Sequence, residues 1–195
     1  MPYRPQKALP MNYCSNCGEG LELRIPPGDD RPRFVCTACE TVHYSNPKLV
    51  IGCIPEFNGK ILLCRRAIEP RFGKWTLPAG YMENGETVAY CAKREAFEEA
   101  LARVEDLRPY ALLNIPSINQ VYFIFRTQLA NHDYQAGNES LEVGLYRTDD
   151  IPWSELAFPV IHEVLKLYCG DLVTGEFPFR MVDIAQQLGV EGARW

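Results

Sequence analysis

The chain has 195 residues, of which 47% are hydrophobic and 23% are charged, a composition typical of a soluble globular protein. This length allows one hydrophobic core of ordinary size with a small appendage. The net charge of −5 argues against a protein that binds bulk nucleic acid or an anionic membrane surface. The longest apolar stretches, 49–54 and 121–125, are too short to cross a bilayer, and the N-terminus has no apolar segment of the signal-peptide type. These features predict a cytoplasmic protein.

The first motif along the chain is a pair of C-x2-C knuckles within residues 11–46, after a proline-containing tail at residues 1–10. Eighteen residues separate the two knuckles, a spacing typical of a zinc ribbon. A unit of about 35 residues is too small to hold a core alone, so a closed four-thiolate site predicts structural Zn²⁺. The alternative is a redox or chance pairing. The predicted ligands are Cys14, Cys17, Cys36 and Cys39.

Four further cysteines (Cys53, Cys64, Cys91 and Cys169) are scattered in apolar or helical context, where they are typical of small buried hydrophobic residues in a reducing compartment. His43 lies near the second knuckle but is not needed as a ligand. Gly18 follows the first knuckle, where a positive φ is often required.

From residue 47 the pattern changes to that of a larger domain, predicted to span residues 47–170 with an extension at 171–195. Two apolar runs around Asn58-Gly59 predict a β-hairpin with a type I′ turn. A loop follows at 69–81, then a helix at 87–103, strands at 121–129 and 141–148, a helix at 158–168 and a helical turn within 181–189. Strands flanking long helices without a regular β-α-β repeat predict an α/β fold, a mixed sheet sandwiched by helices.

One face of the predicted helix at 87–103 is apolar in its first half. In the second half the same face carries three carboxylates, Glu95, Glu98 and Glu99. A glutamate pair on a helix is often only a solvated face. Here three like charges at this spacing repel one another where a core stripe would continue, so a hard divalent cation is the natural counterion. Arg94 is a further cation and can reach back to Glu86.

Six residues in this stretch have a spacing that resembles the signature of the Nudix hydrolases: Gly80, Glu86, Arg94, Glu95, Glu98 and Glu99. Two positions depart from the family pattern. Ala96 stands where the family has a large aliphatic residue, and Leu101 stands where it has a glycine. The second departure predicts a helix that continues without the usual break.

The resemblance implies a Nudix fold, an α/β/α sandwich with a mixed β-sheet, and hydrolysis of a nucleoside diphosphate linked to another moiety. Mg²⁺ or Mn²⁺ held by Glu95, Glu98 and Glu99 would neutralise phosphate charge and activate water, which is the chemistry that this cleavage needs. Glu98, Glu99, Arg94 and Glu86 are accordingly the expected catalytic residues. Arg94 would orient a carboxylate, Glu86 would hold Arg94, and Gly80 would allow close approach of the metal or phosphate.

Segments outside the signature resemble one subgroup, the plant plastid FAD diphosphatases and their bacterial relatives. That likeness implies FAD plus water giving FMN and AMP, with ADP-ribose as a second substrate, and a homodimer. An NADH diphosphatase is the alternative enzyme, but that group carries a Ser-Gln-Pro-Trp-Pro-Phe-Pro-x-Ser element that residues 110–123 lack. A non-catalytic nucleotide sensor is the alternative of another class, although such modules often lose the carboxylates.

Further candidates lie outside the signature. Glu139 and Glu142 are expected to supply a metal ligand or general base, with Glu142 favoured, unless they are a solvated acidic loop. Arginines that could bind phosphate, unless they are ordinary surface residues, are Arg65, Arg66 and Arg71. Aromatic residues that could stack on a base or flavin, unless they are core, are Trp75, Tyr81, Tyr122 and Phe158. Gln120 is a candidate substrate contact.

Overall fold

The computed structural model describes residues 11–184, so the predicted tail at 1–10 lies outside the described residues. The chain divides into two compact units with the boundary between Pro47 and Lys48. Within residues 11–184, neither α-helix is both long enough and apolar enough to span a lipid bilayer.

The first unit is a three-stranded antiparallel sheet formed by β1 (Leu21–Arg24), β2 (Arg33–Cys36) and β3 (Val42–His43). The first knuckle turns tightly because Gly18 adopts a φ of 81° and donates its N–H to the Cys14 carbonyl at 2.8 Å. A side chain at this φ would be strained, so glycine lets the chain fold back and aim two thiols at one point.

The second unit is built on a mixed sheet with the strand order β10-β5-β4-β9-β8-β11, in which β6 also pairs with β5 and β7 also pairs with β4. The β4–β9 and β8–β11 pairs are parallel and the other pairs are antiparallel. The strands are β4 (Lys48–Phe57), β5 (Lys60–Arg66), β6 (Trp75–Thr76), β7 (Ala79–Tyr81), β8 (Val104–Ile115), β9 (Gln120–Leu129), β10 (Ser140–Tyr146) and β11 (Arg180–Asp183).

The predicted hairpin is confirmed. Asn58 and Gly59 both adopt positive φ, 48° and 73°, and they join β4 to β5 as a type I′ turn requires.

Helices cover both faces of the sheet, which confirms the predicted sandwich. Successive residues of a strand point to opposite faces. Leu62 therefore packs in the same cluster as the residues of α1 (Val88–Ala100), whereas Leu63 packs in the cluster that holds α2 (Pro159–Thr174). The buried stripe of α1 uses small side chains that let the helix approach β4: Cys91, Ala92, Ala96 and Ala100.

The expectation that the first helix continues past Leu101 is wrong. The helix ends at Ala100, and Leu101 adopts the left-handed conformation with φ 47° and ψ 20°. Its N–H donates to the Phe97 carbonyl at 2.8 Å, which terminates the helix as a glycine would. The break that the family makes with glycine is therefore present here at the same position, made by a leucine in a strained conformation.

The predicted boundary at residue 170 lies inside α2. The helix continues to Thr174 and brings Asp171 into the core, where its carboxylate accepts hydrogen bonds from the Tyr110 hydroxyl at 2.7 Å and from Arg180. Residues 181–183, expected to be helical, instead belong to β11 and pair with β8. The rest of that predicted turn, 185–189, lies outside the described residues.

We expect Leu101→Gly to stabilise the protein by about 1 kcal/mol, because it relieves the left-handed strain at a side chain that is 40% exposed and has little packing to lose. For a domain of this size the midpoint of thermal unfolding should rise by about 2–4 °C. Calorimetry of the zinc-loaded chain measures it. Leu101→Ala is the matched control, since alanine keeps the strained Cβ; an equal gain in both variants would contradict the explanation.

Candidate active site

A cleft of about 830 Å³ lies in the second unit, beside α1 and the ends of the adjoining strands. It brings together most of the site residues expected from the sequence. These are Arg66, Gly80, Tyr81, Glu86, Arg94, Glu95, Glu98, Glu99, Gln120, Tyr122, Glu139 and Phe158. Arg65, Arg71, Trp75 and Glu142 do not line it.

Two of the three helix carboxylates are buried at the wall of this cleft. Glu95 is 7% exposed and Glu99 is 6% exposed, whereas the Glu98 side chain is 54% exposed. Burial, followed by the charge of Glu95, raises the pKa of Glu99 to about 8, and burial also raises the pKa of Glu95. The Oε2 atom of Glu99 is buried and has no hydrogen-bond partner among the described residues.

Arg94 offsets part of this negative charge, and its N–H donors are all used in hydrogen bonds. Its Nε and Nη2 atoms form a bidentate pair with Glu86, at 2.6 and 3.0 Å. Its Nη1 atom donates to Glu95 at 2.7 Å and to Glu98 at 2.8 Å, and Nη2 also donates to the Tyr81 carbonyl at 3.1 Å. The hydrogen bonds from Arg94 lower the pKa of Glu86 to about 2, so Glu86 is ionised and fixes the guanidinium.

Gly80 lies directly against the Glu95 carboxylate. A Cβ atom at this position would overlap the Glu95 Oε1 atom, so any other residue would displace the carboxylate. The approach is fixed by β7, since Gly80 pairs with Ile51 of β4 while α1 packs over the same strand. The contact with Glu95 gives glycine a steric role at this position, and the expected approach of a metal or phosphate to the Gly80 backbone stays a prediction.

The segment between β9 and β10 is tied to the end of α1 and carries a fourth carboxylate. Gln135 donates its N–H to the Ala100 carbonyl and Gly137 donates its N–H to the Glu99 carbonyl, both at 2.9 Å. A Cβ at Gly137 would overlap the Glu98 carbonyl oxygen at 1.8 Å. The sequence does not predict this contact, because nothing in the sequence distinguishes Gly137 from other loop glycines.

The structure places one of the two loop glutamates, Glu139, in the cleft and the other, Glu142, outside it. Glu139 lines the cleft, and its charge helps to raise the pKa of both Glu95 and Glu99. Glu142 instead lies opposite Arg65 on the neighbouring strand, exposed, with a carboxylate–guanidinium distance of 3.5 Å. The register shifts between Ser140 and Glu142, and this irregularity cannot be inferred from residue spacing.

The aromatic candidates divide between cleft and core. Tyr81 is 46% exposed, and its hydroxyl accepts a hydrogen bond from the Gln120 side chain at 3.0 Å. Tyr122 is largely buried in the cleft wall, and this burial raises its pKa to about 12. Trp75 is a core residue, 6% exposed and in edge contact with Tyr146. Its expected role in stacking is therefore not supported.

The carboxylate cluster fits a hard divalent cation. The atoms that would bind the cation are carboxylate oxygens. Two of the carboxylates are buried close to one another, and one buried oxygen has no hydrogen-bond partner among the described residues. Bringing a cation to these oxygens would satisfy Glu99 and relieve its repulsion with Glu95.

The four knuckle cysteines fit Zn²⁺ equally well. Their sulfur atoms all lie within 4.8 Å of one another, with 3.7 Å between Cys14 and Cys39 and 3.4 Å between Cys17 and Cys36. A tetrahedron with Zn–S bonds of about 2.3 Å has edges of about 3.8 Å. His43 is not a fifth ligand but contacts the site from outside, with its Nε2 atom 3.3 Å from the Cys14 sulfur.

Family models match both units of the chain. The model described as Nudix N-terminal, a zinc ribbon, matches residues 12–45, and the model described as NUDIX domain matches residues 46–166.

Curated relatives include an NAD-capped RNA hydrolase, NudC, of Chromobacterium violaceum, 24% identical over 80% of this chain and 58% of its own length. NudC of Photobacterium profundum is 30% identical over 51% of this chain and 36% of its own length. The chain thus spans about half the length of the curated relatives it matches.

Among solved structures, a NUDIX hydrolase from Nitrosomonas europaea is 51% identical, with a TM-score of 0.86, and the match covers 89% of this chain and 99% of that one. The NUDIX domain of Shewanella oneidensis NrtR, complexed with ADP ribose, has a TM-score of 0.58 at 16% identity over 66% of this chain and 90% of that one, and so shares the fold.

We expect the free energy of unfolding to fall as the pH rises from about 5 to 8 in buffer without added divalent cation. The pKa of Glu99 is about 8 in the folded protein and near 4.5 in an unfolded chain. The folded state therefore binds this proton more tightly, and the stability it confers is lost as the pH rises towards the folded pKa. Urea unfolding at several pH values measures the slope.

Two comparisons isolate Glu99 in that measurement. Glu99→Gln should have a smaller pH slope, and Mg²⁺ added at pH 8 should stabilise the unchanged protein more than the variant. Glu105→Gln, on the exposed part of β8, is the matched control. Identical slopes for Glu99→Gln and the unchanged chain would show that Glu99 is not the titrating group.

Proposed function

The chain belongs to the Nudix hydrolase family, and we propose that it hydrolyses the diphosphate bond of a dinucleotide, with FAD as the preferred substrate and FMN and AMP as the products. The observation that carries this proposal is the buried pair Glu95 and Glu99 at the wall of a cleft of about 830 Å³, where one Glu99 oxygen has no hydrogen-bond partner among residues 11–184. A buried pair of carboxylates is costly unless the site uses it to hold a cation and an anionic substrate.

In this proposal Glu95, Glu98 and Glu99 hold Mg²⁺ or Mn²⁺. The cation, when bound, supplies charge neutralisation for the diphosphate and makes water a better nucleophile near neutral pH. Arg94 orients Glu95 and Glu98 through the hydrogen bonds from its Nη1 atom, and Glu86 anchors Arg94 through its bidentate pair. The ribbon cysteines hold a structural Zn²⁺ and take no part in the chemistry.

Glu139 is the proposed general base. The water oxygen attacks one phosphorus atom, Glu139 accepts a proton from that water, and the bridging oxygen leaves with the other phosphate. The position of Glu139 in the cleft favours it over Glu142, which pairs with Arg65 outside the lining. Hydrogen bonds from Gln135 and Gly137 to the end of α1 hold the loop against the cluster, so Glu139 needs no large movement to act.

The choice of FAD rests on the sequence segments that resemble FAD diphosphatases and on the absence, at residues 110–123, of the element typical of NADH diphosphatases. The second candidate is an NAD-containing substrate, since the curated relatives are NAD-capped RNA hydrolases. Their low identity and the half-length match leave this candidate second. A sensor without activity is disfavoured because all carboxylates of the signature are present.

We expect the purified chain with Mg²⁺ to release AMP from FAD at a higher kcat/KM than from NADH or ADP-ribose, measured side by side by chromatography. Glu98→Gln should lower kcat by at least about 10²-fold with the fold intact, because it removes one cation ligand. Glu105→Gln is the matched control and should keep full activity. AMP released fastest from NADH would favour the second candidate, and no AMP from any substrate would favour the sensor.

We expect Glu139→Gln to lower kcat by about 10²- to 10⁴-fold with KM little changed, because the amide cannot accept the proton. Glu142→Gln is the matched variant and should stay within about twofold of the unchanged enzyme. Steady-state kinetics on FAD with saturating Mg²⁺ measures both. The opposite ranking of the two variants would return the role of base to Glu142.

A further inference from the structure

Only two cations are among the cleft-lining residues within 11–184, Arg66 and Arg94. Arg94 already donates to Glu86, Glu95, Glu98 and the Tyr81 carbonyl, so its guanidinium has no donor left for a substrate. The diphosphate of a dinucleotide has four non-bridging oxygens that share two negative charges, so it offers several acceptors to an arginine. Arg66 is therefore the side chain that can bind the remaining phosphate oxygens.

Arg66 is held in place from three sides. Its backbone N–H donates to the Lys74 carbonyl at 2.9 Å, and its Nε atom donates to the Pro70 carbonyl at 2.9 Å. The centre of its guanidinium lies 5.2 Å from the ring centroid of Phe158. No hydrogen bond from its two Nη atoms is found to any residue between 11 and 184.

Phe158 is a rigid support for that guanidinium. It lies at the start of α2, directly before Pro159, and its carbonyl accepts hydrogen bonds from Ile161 at 3.0 Å and His162 at 3.2 Å. Its ring is partly buried against the core cluster that contains α2. Because the Phe158 ring packs against the core and also lies next to the Arg66 guanidinium, it is poorly placed to stack on a base or a flavin.

We propose that Phe158 is a positioning residue for Arg66: the Phe158 ring and the Pro70 carbonyl orient the guanidinium so that its Nη donors bind the substrate diphosphate. This proposal rests on the proposed function, and it gives Phe158 a role other than the stacking contact with substrate that the sequence analysis expects. It also has a consequence for specificity. Diphosphate is common to all dinucleotides, so loss of Phe158 should weaken binding of every substrate by the same factor, whatever base or flavin it carries.

The test is a double-mutant cycle measured on two substrates, FAD and ADP-ribose. Both contain an ADP moiety, but they differ in the group attached to it. Phe158→Leu should raise KM for both by a similar factor, about threefold to tenfold, with kcat within about twofold. Phe158→Tyr should restore KM because it keeps the aromatic face. Arg66→Lys should raise KM by about tenfold or more, since lysine cannot donate in a bidentate fashion. Adding Phe158→Leu to Arg66→Lys should have little further effect.

Phe179→Leu, at a half-exposed ring outside the cleft, should leave KM unchanged. A loss confined to FAD in Phe158→Leu would show that the ring stacks on the flavin, and effects that multiply in the double variant would show that Phe158 acts independently of Arg66. Either result overturns the proposal.

A separate readout covers failure of the proposed function itself. Should the unchanged chain cleave neither substrate, the proposed activity is wrong. Phe158→Leu, Arg66→Lys and the double variant are then compared with the unchanged chain by calorimetric titration with inorganic diphosphate. Non-additive losses in Kd for Arg66→Lys and Phe158→Leu would then support the positioning role. Additive losses, or no loss, would overturn it.

Discussion

Glu95 and Glu99 are buried next to one another on the last turns of α1, and the rest of the cleft is arranged around their mutual repulsion. Arg94 offsets the charge of Glu95, but Glu99 keeps a buried oxygen without a partner among the described residues. In an ordinary hydrophobic core, two neighbouring buried carboxylates would strongly destabilise the fold. Replacing them with apolar residues of similar volume would cost little stability. Its presence indicates that the site exchanges stability for the ability to hold a cation.

Two glycines let the backbone close in on this cluster from opposite sides. Gly80 brings β7 within contact of the Glu95 carboxylate, and Gly137 brings the loop before β10 within contact of the Glu98 carbonyl. Because each closes on α1 through backbone that has no room for a side chain, the carboxylates have little freedom to move. Such preorganisation is the usual way in which a site keeps charged groups at the distances that a reaction requires.

The sequence predicted the parts of this site that depend on local spacing. Helical periodicity places Glu95 and Glu99 on one inward face, and the C-x2-C pairs place four thiols together, without knowledge of the rest of the fold. Features that depend on irregular backbone could not be predicted in the same way. The positive φ of Leu101, which ends α1, has no signature in a leucine, and the shifted register that separates Glu139 from Glu142 arises from pairing with β5.

Longer-range pairing explains the remaining differences in the fold. The strand β8 was missed because its first half is polar and contains Pro109, and β11 was missed because it is short and is defined only by its pairing with β8. A four-residue strand is too short to show a clear alternation of apolar and polar residues. Its pairing with a parallel strand distant in the sequence leaves no local signal either.

The contact between Asp171, Tyr110 and Arg180 determines how the catalytic unit can be shortened. A cut at residue 170 would remove both the carboxylate that accepts from the Tyr110 hydroxyl and the strand that hydrogen-bonds to the edge of β8. The phenol would then be left in the core without its acceptor, and β8 would become an exposed edge strand prone to pairing with other chains. A fragment that keeps the pairing between β8 and β11 therefore extends at least through Ile184, whose N–H donates to the Asn114 carbonyl.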